Sequence, residues 1–270
     1  MIVKNELKMK MISFFGLGLL AIGILVLLPE KKDEMKQKDY TENVFGMQLK
    51  MVYVESGTFR MGATDEQGDD EWELWNEYPV RSVTLNSYYI GKYEVTEAQW
   101  KAVMGSPPWG DSYPKGVSWY AAQAFCKKLS EATGKKYVLP TEAQWEYAAR
   151  GGNKSRSYKY AGSNNIKKVA WYKENKRRRN ACKVGRKKAN ELGIYDMSGN
   201  TWEWCSDWYD AYDKEDTDNP QGAAEGSCRV VRGGSWDDDA EDCRVSSRFG
   251  FSPEDIYRPN HGFRVACVSE

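Results

Sequence analysis

Histidine is almost missing: His261 is the one copy in 270 residues. A single imidazole excludes a two-His or three-His metal centre built within this chain. It leaves a Ser-His-Asp triad one candidate base. The six cysteines contain no C-x2-C pair, so the common zinc frameworks lack their ligands. Net charge is missing too. Lys plus Arg is 39 and Asp plus Glu is 39, which argues against a protein whose whole surface binds polyanions. Aromatic residues are plentiful at 13%, with 11 Trp and 17 Tyr, and that load argues against disorder.

Charge is also absent from Met11 to Leu28, an apolar run of 18 residues at the lower edge of a membrane-spanning helix. Lys4, Lys8 and Lys10 precede it, which places the N-terminus on the cytoplasmic side. No Ala-x-Ala site follows and no Cys stands there to take a lipid. Residues 1–28 are therefore expected to be an uncleaved signal anchor, with a cleaved signal peptide as the alternative. Residues 29–45 are polar and have little to bury, as befits a linker. All eleven Trp lie beyond Phe45, so residues 46–270 are expected to form one globular domain. The anchor would hold that domain on the extracytoplasmic side of a membrane, where disulfides are permitted.

Short strand-like runs bounded by glycine dominate the start of the domain. Lys50–Val54 and Thr58–Met61 flank Ser56-Gly57, a hairpin signal. Val80–Leu85 alternates, and Tyr88–Val95 is rich in β-formers. The acidic stretch Asp65–Glu77 reads as a solvated loop. Thr96-Glu97-Ala98-Gln99 and Thr141-Glu142-Ala143-Gln144 each carry a capping box and predict two helix starts. A third helix is predicted from Ser118 to about Thr133, with Trp119, Ala122, Cys126 and Leu129 on one face and Gly134 as its stop. Val230-Val231 and Phe263–Val268 read as buried strands, and His261 as a surface turn residue. The basic runs Lys176–Arg179 and Arg186–Lys188 read as a solvated loop and not a nucleic-acid site. The class is α+β, with short strands, about three helices and long loops.

Five phrases carry a family resemblance. They are Val54-Glu55-Ser56-Gly57-Thr58-Phe59-Arg60-Met61-Gly62, Leu139-Pro140-Thr141-Glu142 through Arg150-Gly151-Gly152, Gly193-Ile194-Tyr195-Asp196-Met197-Ser198-Gly199-Asn200-Thr201-Trp202-Glu203-Trp204, Arg232-Gly233-Gly234-Ser235-Trp236 and Gly262-Phe263-Arg264. In this order they resemble the sulfatase-modifying factor family, or formylglycine-generating enzymes, across nearly all of residues 46–270. The resemblance implies a C-type-lectin-like fold. It also implies an oxidase that holds Cu(I) between two thiolates in a C-x4-C pair and converts a substrate cysteine to formylglycine with O2.

The family's catalytic positions fall on Ser235, Asp238 and Cys243. Soft thiolates select Cu(I), and Asp238 is a hard oxygen donor where the first thiolate is needed. The acidic neighbours Asp237–Asp242 would also disfavour the Cys243 thiolate. The resemblance further implies a Ca²⁺ site from the Asp196 and Glu203 carboxylates with the Gly199 and Thr201 carbonyls, a hard oxygen set that suits the ion. It places Cys126 and Cys267 at or near bridged positions, with Cys267 displaced by two residues. The other four cysteines allow three pairings among themselves. A groove lined by Trp202, Ser235, Trp236, Asp238, Cys243 and Arg248 would suit a peptide or glycan. The expected function is a non-catalytic binding or envelope-scaffold domain with an extracytoplasmic protein, peptide or glycan partner and no nucleic acid. The alternative is the copper-dependent formylglycine-generating oxidase.

Overall fold

The computed structural model describes residues 38–68, 74–105, 117–175, 180–255 and 259–269. The expected anchor, Met11–Leu28, lies outside them. Among the described residues no helix is long and apolar enough to cross a membrane.

Strands β1 (Tyr40–Val44), β2 (Met47–Val54), β5 (Tyr88–Gly91), β6 (Lys136–Val138) and β11 (Ala266–Val268) form a five-stranded sheet in the order β1-β2-β5-β11-β6. Strands β7 (Trp202–Trp208), β8 (Arg229–Arg232), β9 (Arg248–Phe251) and β10 (His261–Gly262) form a second, in the order β10-β7-β8-β9. Strands β3 (Gly57–Met61) and β4 (Arg81–Leu85) pair alone. The Ser56-Gly57 hairpin is therefore corrected. β2 is flanked by β1 and β5, so β3 finds its partner in β4. β1 lies inside the stretch expected as linker, and its alternating burial shows why: Tyr40 and Val44 pack against the first core.

Helices α1 (Glu97–Met104) and α3 (Glu142–Ala149) begin as their capping boxes predict. The Thr96 and Thr141 hydroxyls accept from the Gln99 and Gln144 backbone N–H at 3.3 and 3.2 Å. Each glutamine side chain accepts from its cap residue's N–H at 2.9 Å. Helix α2 (Trp119–Thr133) starts on Ser118, ends at left-handed Gly134, and buries Ala122, Phe125, Cys126 and Leu129. A further single turn, α4, spans Ile166–Val169.

Glu142 and Glu146 lie one turn apart on α3, so both carboxylates face the second sheet. Glu142 takes two bonds from Arg248 of β9 at 2.6 and 2.7 Å. Glu146 pairs with Arg232 of β8, and all four side chains are almost fully buried. Such pairs fix register, because separating either one strands a charge in a low-dielectric interior.

Three expectations fail. Glu77, at the end of the acidic stretch, is buried on Arg244 at 2.7 Å, and Gln67 is buried beside it on Ser246. His261 is fully buried on β10 between Trp204 and Phe251. All six cysteines are free, so neither the Cys126–Cys267 bridge nor any other exists. Cys267 does share the core of Cys126. A shift of two residues along a strand preserves the face but moves the sulfur by about 6–7 Å, more than disulfide geometry tolerates.

Candidate functional site

The loop after β8 is shaped by Gly233 and Gly234, with φ of 96° and 70°. A Cβ on Gly234 would lie 2.8 Å from both the Asp242 carbonyl and the Cys243 sulfur. Glycine thus lets the loop that carries Ser235 close against the Glu241–Cys243 turn. The closure puts Ser235 and Asp238 under Trp202 of β7. The Ser235 hydroxyl donates to Asp238 Oδ2, and the Trp202 indole N–H donates to the same oxygen at 2.8 Å. Asn260 Nδ2 donates to Ser235 Oγ at 2.9 Å. Asp238 is half-buried, and its Oδ1 has no hydrogen-bond partner among the described residues. Phe249 lies edge-on to Trp202 at 5.2 Å and is 41% exposed, which gives the site an apolar rim.

Trp202, Ser235 and Asp238 are thus brought together, with Trp236 buried alongside and its backbone N–H donating to the Asn200 carbonyl at 3.0 Å. Arg248 is not among them. Its guanidinium is buried on Glu142 and on the Asn76 and Asp210 carbonyls, facing away from the groove it was expected to line. Asn260 and Phe249 were missed. Pro259-Asn260-His261-Gly262 reads as a turn, and nothing in the sequence singles out one exposed phenylalanine.

Cys243 packs with Tyr160, Tyr172, Val169 and Ala170 and is fully buried. Burial first, and Asp238 next, push its thiol well above the ordinary range. One protonated thiol and one hard carboxylate are a poor donor set for Cu(I), which soft thiolates select.

The segment Asp196–Glu203 folds around buried charge. Asp196 adopts φ 57°, accepts from the Gly185 N–H at 2.6 Å, and leaves Oδ1 buried with no partner. Gly199 is irreplaceable here, since a Cβ would lie 2.3 Å from the Trp171 carbonyl. Both Glu203 oxygens accept from Arg264 at 2.6 Å, and one also accepts from the Trp145 indole at 2.7 Å. Glu94, unnoticed within a strand-like run, accepts from the Thr201 N–H at 3.0 Å, the Thr201 hydroxyl at 2.6 Å and Asn200 at 2.5 Å. Burial, then Asp196 and Glu203, raise the Glu94 pKa strongly, and burial raises that of Asp196 to about 6. Three carboxylates thus surround the single buried guanidinium of Arg264. The orphaned Asp196 oxygen fits a hard cation. Glu203 fits less well, because its oxygens are already engaged. Among the described residues no three His, Cys, Asp or Glu side chains converge as a metal cluster.

Fold and site together define a low-regularity α+β domain whose candidate site joins the start of β7, the loop after β8 and the turn before β10. Residues 36–268 match the family described as the sulfatase-modifying factor enzyme 1-like domain, and the chain belongs to that family. It is similar to the chaperone protein LppX of Paenibacillus barcinonensis, at 34% identity over 80% of this chain and 88% of that one. It is similar to the formylglycine-generating enzyme of Bos taurus, at 28% identity over 81% and 74%. Among solved structures it resembles Treponema denticola variable protein 1, at 31% identity, TM-score 0.71, and 85% and 98% coverage.

Proposed function

We infer that this chain is a non-catalytic ligand-binding member of its family, tethered by residues 1–28 with its domain outside the membrane. The carrying observation is the environment of Asp238. The residue stands where the family places its first copper thiolate, and it is locked there by Trp202 and Ser235. The partner thiol, Cys243, is enclosed. What remains is a carboxylate with one open oxygen beside an indole and a phenyl rim, suited to holding a peptide or glycan.

The names of several relatives favour a second reading. Formylglycine-generating enzymes from Bos taurus and Mus musculus match over 81% of this chain, which supports an oxidase converting a sulfatase cysteine to formylglycine. One assay separates the two. The purified protein is incubated with copper, O2 and a sulfatase-motif peptide. No formylglycine is expected by mass spectrometry, and its formation overturns the binding reading.

Calcium at Asp196, Glu203 and the Gly199 and Thr201 carbonyls is part of the same proposal. It rests on the orphaned, buried Asp196 oxygen. Chelation with EDTA is expected to lower Tm by roughly 5–10 °C, as loss of a tightly bound ligand does in a domain of this size. Added Ca²⁺ restores it. A melting curve indifferent to EDTA sinks the assignment.

A further inference from the structure

The chain is neutral overall, but its charge is unevenly placed. Between residues 151 and 191 the described residues include ten Lys and Arg against two acids, Glu174 and Glu191. Glu174 is occupied by the Tyr172 hydroxyl at 2.9 Å, and Lys173 by Asp239 at 2.8 Å. The fold then presses two basic segments together. Lys188 N–H donates to the Lys168 carbonyl at 2.9 Å, Lys187 Nζ to the Lys167 carbonyl at 2.8 Å, and Lys188 Nζ to the Gly162 carbonyl at 2.8 Å. Lys167, Lys168, Lys183, Arg186 and Lys188 are exposed, and none of these five has an ion-pair partner among the described residues. The half-buried Trp171 indole lies under Lys187 at 4.0 Å, an aromatic ring at the edge of the cationic field.

Holding like charges side by side costs repulsion, which an anionic surface offsets. We propose that the face formed by α4 and residues 183–188 docks on an anionic phospholipid bilayer. Two observations choose the bilayer among polyanions. The uncharged run Met11–Leu28 ends ten residues before Lys38, so a tether of at most about 35 Å would connect an inserted segment to the domain. The half-buried Trp171 ring under Lys187 adds an apolar edge beside those charges, which suits a surface that is anionic above an apolar layer. No side chain of Lys167, Lys168, Lys183, Arg186 or Lys188 bonds Trp202, Ser235 or Asp238, so the proposal rests on the tether of the reading above and not on the chemistry of that site.

The test uses residues 38–270. They lie within one compact unit, and the similar Treponema denticola structure is a chain of which 98% matches this domain. The domain is floated with phosphatidylglycerol-rich vesicles and with pure phosphatidylcholine vesicles. It is expected to float with the first alone and to be released at about 0.5 M salt. The variant K167Q/K168Q/K183Q/R186Q removes four exposed charges whose side chains make no hydrogen bond or ion pair among the described residues. It is expected to bind roughly 100-fold more weakly with an unchanged melting curve. The control K127Q/K128Q, on α2, is expected to bind as wild type. Equal flotation on both lipids, no flotation on either, or full binding by the quadruple variant overturns the proposal. Retention by a single-stranded oligonucleotide without vesicle flotation also overturns it, in favour of nucleic acid.

Discussion

Arg232→Met is expected to destabilise the domain by about 3–5 kcal/mol, the cost of breaking one partner out of a buried ion pair. The substitution keeps most of the side-chain volume, so the effect is electrostatic and not a cavity. Arg232 is fully buried, bonds Glu146, and donates to the Ser246 and Ser247 carbonyls at 2.5 Å each. Its loss leaves Glu146 with Arg150 at 2.8 Å and the Gly62 N–H at 2.9 Å, both on Oε1, so that Oε2 loses its guanidinium and two carbonyls lose their donor. Urea unfolding followed by tryptophan fluorescence is expected to show a lower midpoint at unchanged slope. Tm is expected to fall by roughly 10 °C. The double variant Arg232→Met, Glu146→Leu should recover much of the loss. Arg150 then keeps Glu66 at 2.6 Å and the Gly62 carbonyl, and no carboxylate is stranded. A double variant as unstable as the sum of the singles would show that packing, not the pair, fixes α3 on the sheet.

That network marks a boundary of what the sequence discloses. The helix starts were readable because a capping box is local: Thr141 and Gln144 satisfy each other's backbone whatever surrounds them. The buried face of α2 was readable because its apolar residues recur at helical spacing. Partners distant in sequence were not. Arg248 reads as a charge available to a groove until Glu142, more than a hundred residues away, is found against it. His261 reads as a turn residue until Trp204 and Phe251 close over it. The cysteine pairing failed for a metric reason, since face is legible from periodicity and distance along a strand partner is not. At the candidate site the Asp238 replacement was legible as chemistry. The enclosure of Cys243 depends on Tyr160 and Tyr172 and on Gly234, none of which announces itself by spacing.

Stability is expected to fall, not rise, as pH increases from about 4 to 7, with buried Glu94 and Asp207 as the main causes, of which Asp207 can be isolated. This carboxyl is 4% exposed, and burial, followed by repulsion from Glu142, raises its pKa to about 7. In that window the folded state keeps a proton that the unfolded chain has released. The folded state therefore binds more protons, and unfolding free energy declines with pH. The stabilisation is complete below the unfolded value near 4 and is gone above about 7. The integrated effect is on the order of 4 kcal/mol, since each tenfold change in proton affinity is worth about 1.4 kcal/mol. Asp196, raised to about 6, adds the same sign over a narrower window, and Ca²⁺ at that carboxylate would remove its share. Asp207→Asn isolates the first effect. An amide oxygen still accepts from the Glu142 N–H at 2.9 Å and the Ser206 hydroxyl at 2.9 Å, without burying a charge. The variant is expected to lose less stability than wild type across this range, retaining only the shares of Glu94 and Asp196, and to exceed wild type above pH 7. Wild type that instead gains stability toward neutrality would mean that Asp207 is ionised in the fold, with Arg248, on the far side of Glu142, holding it so.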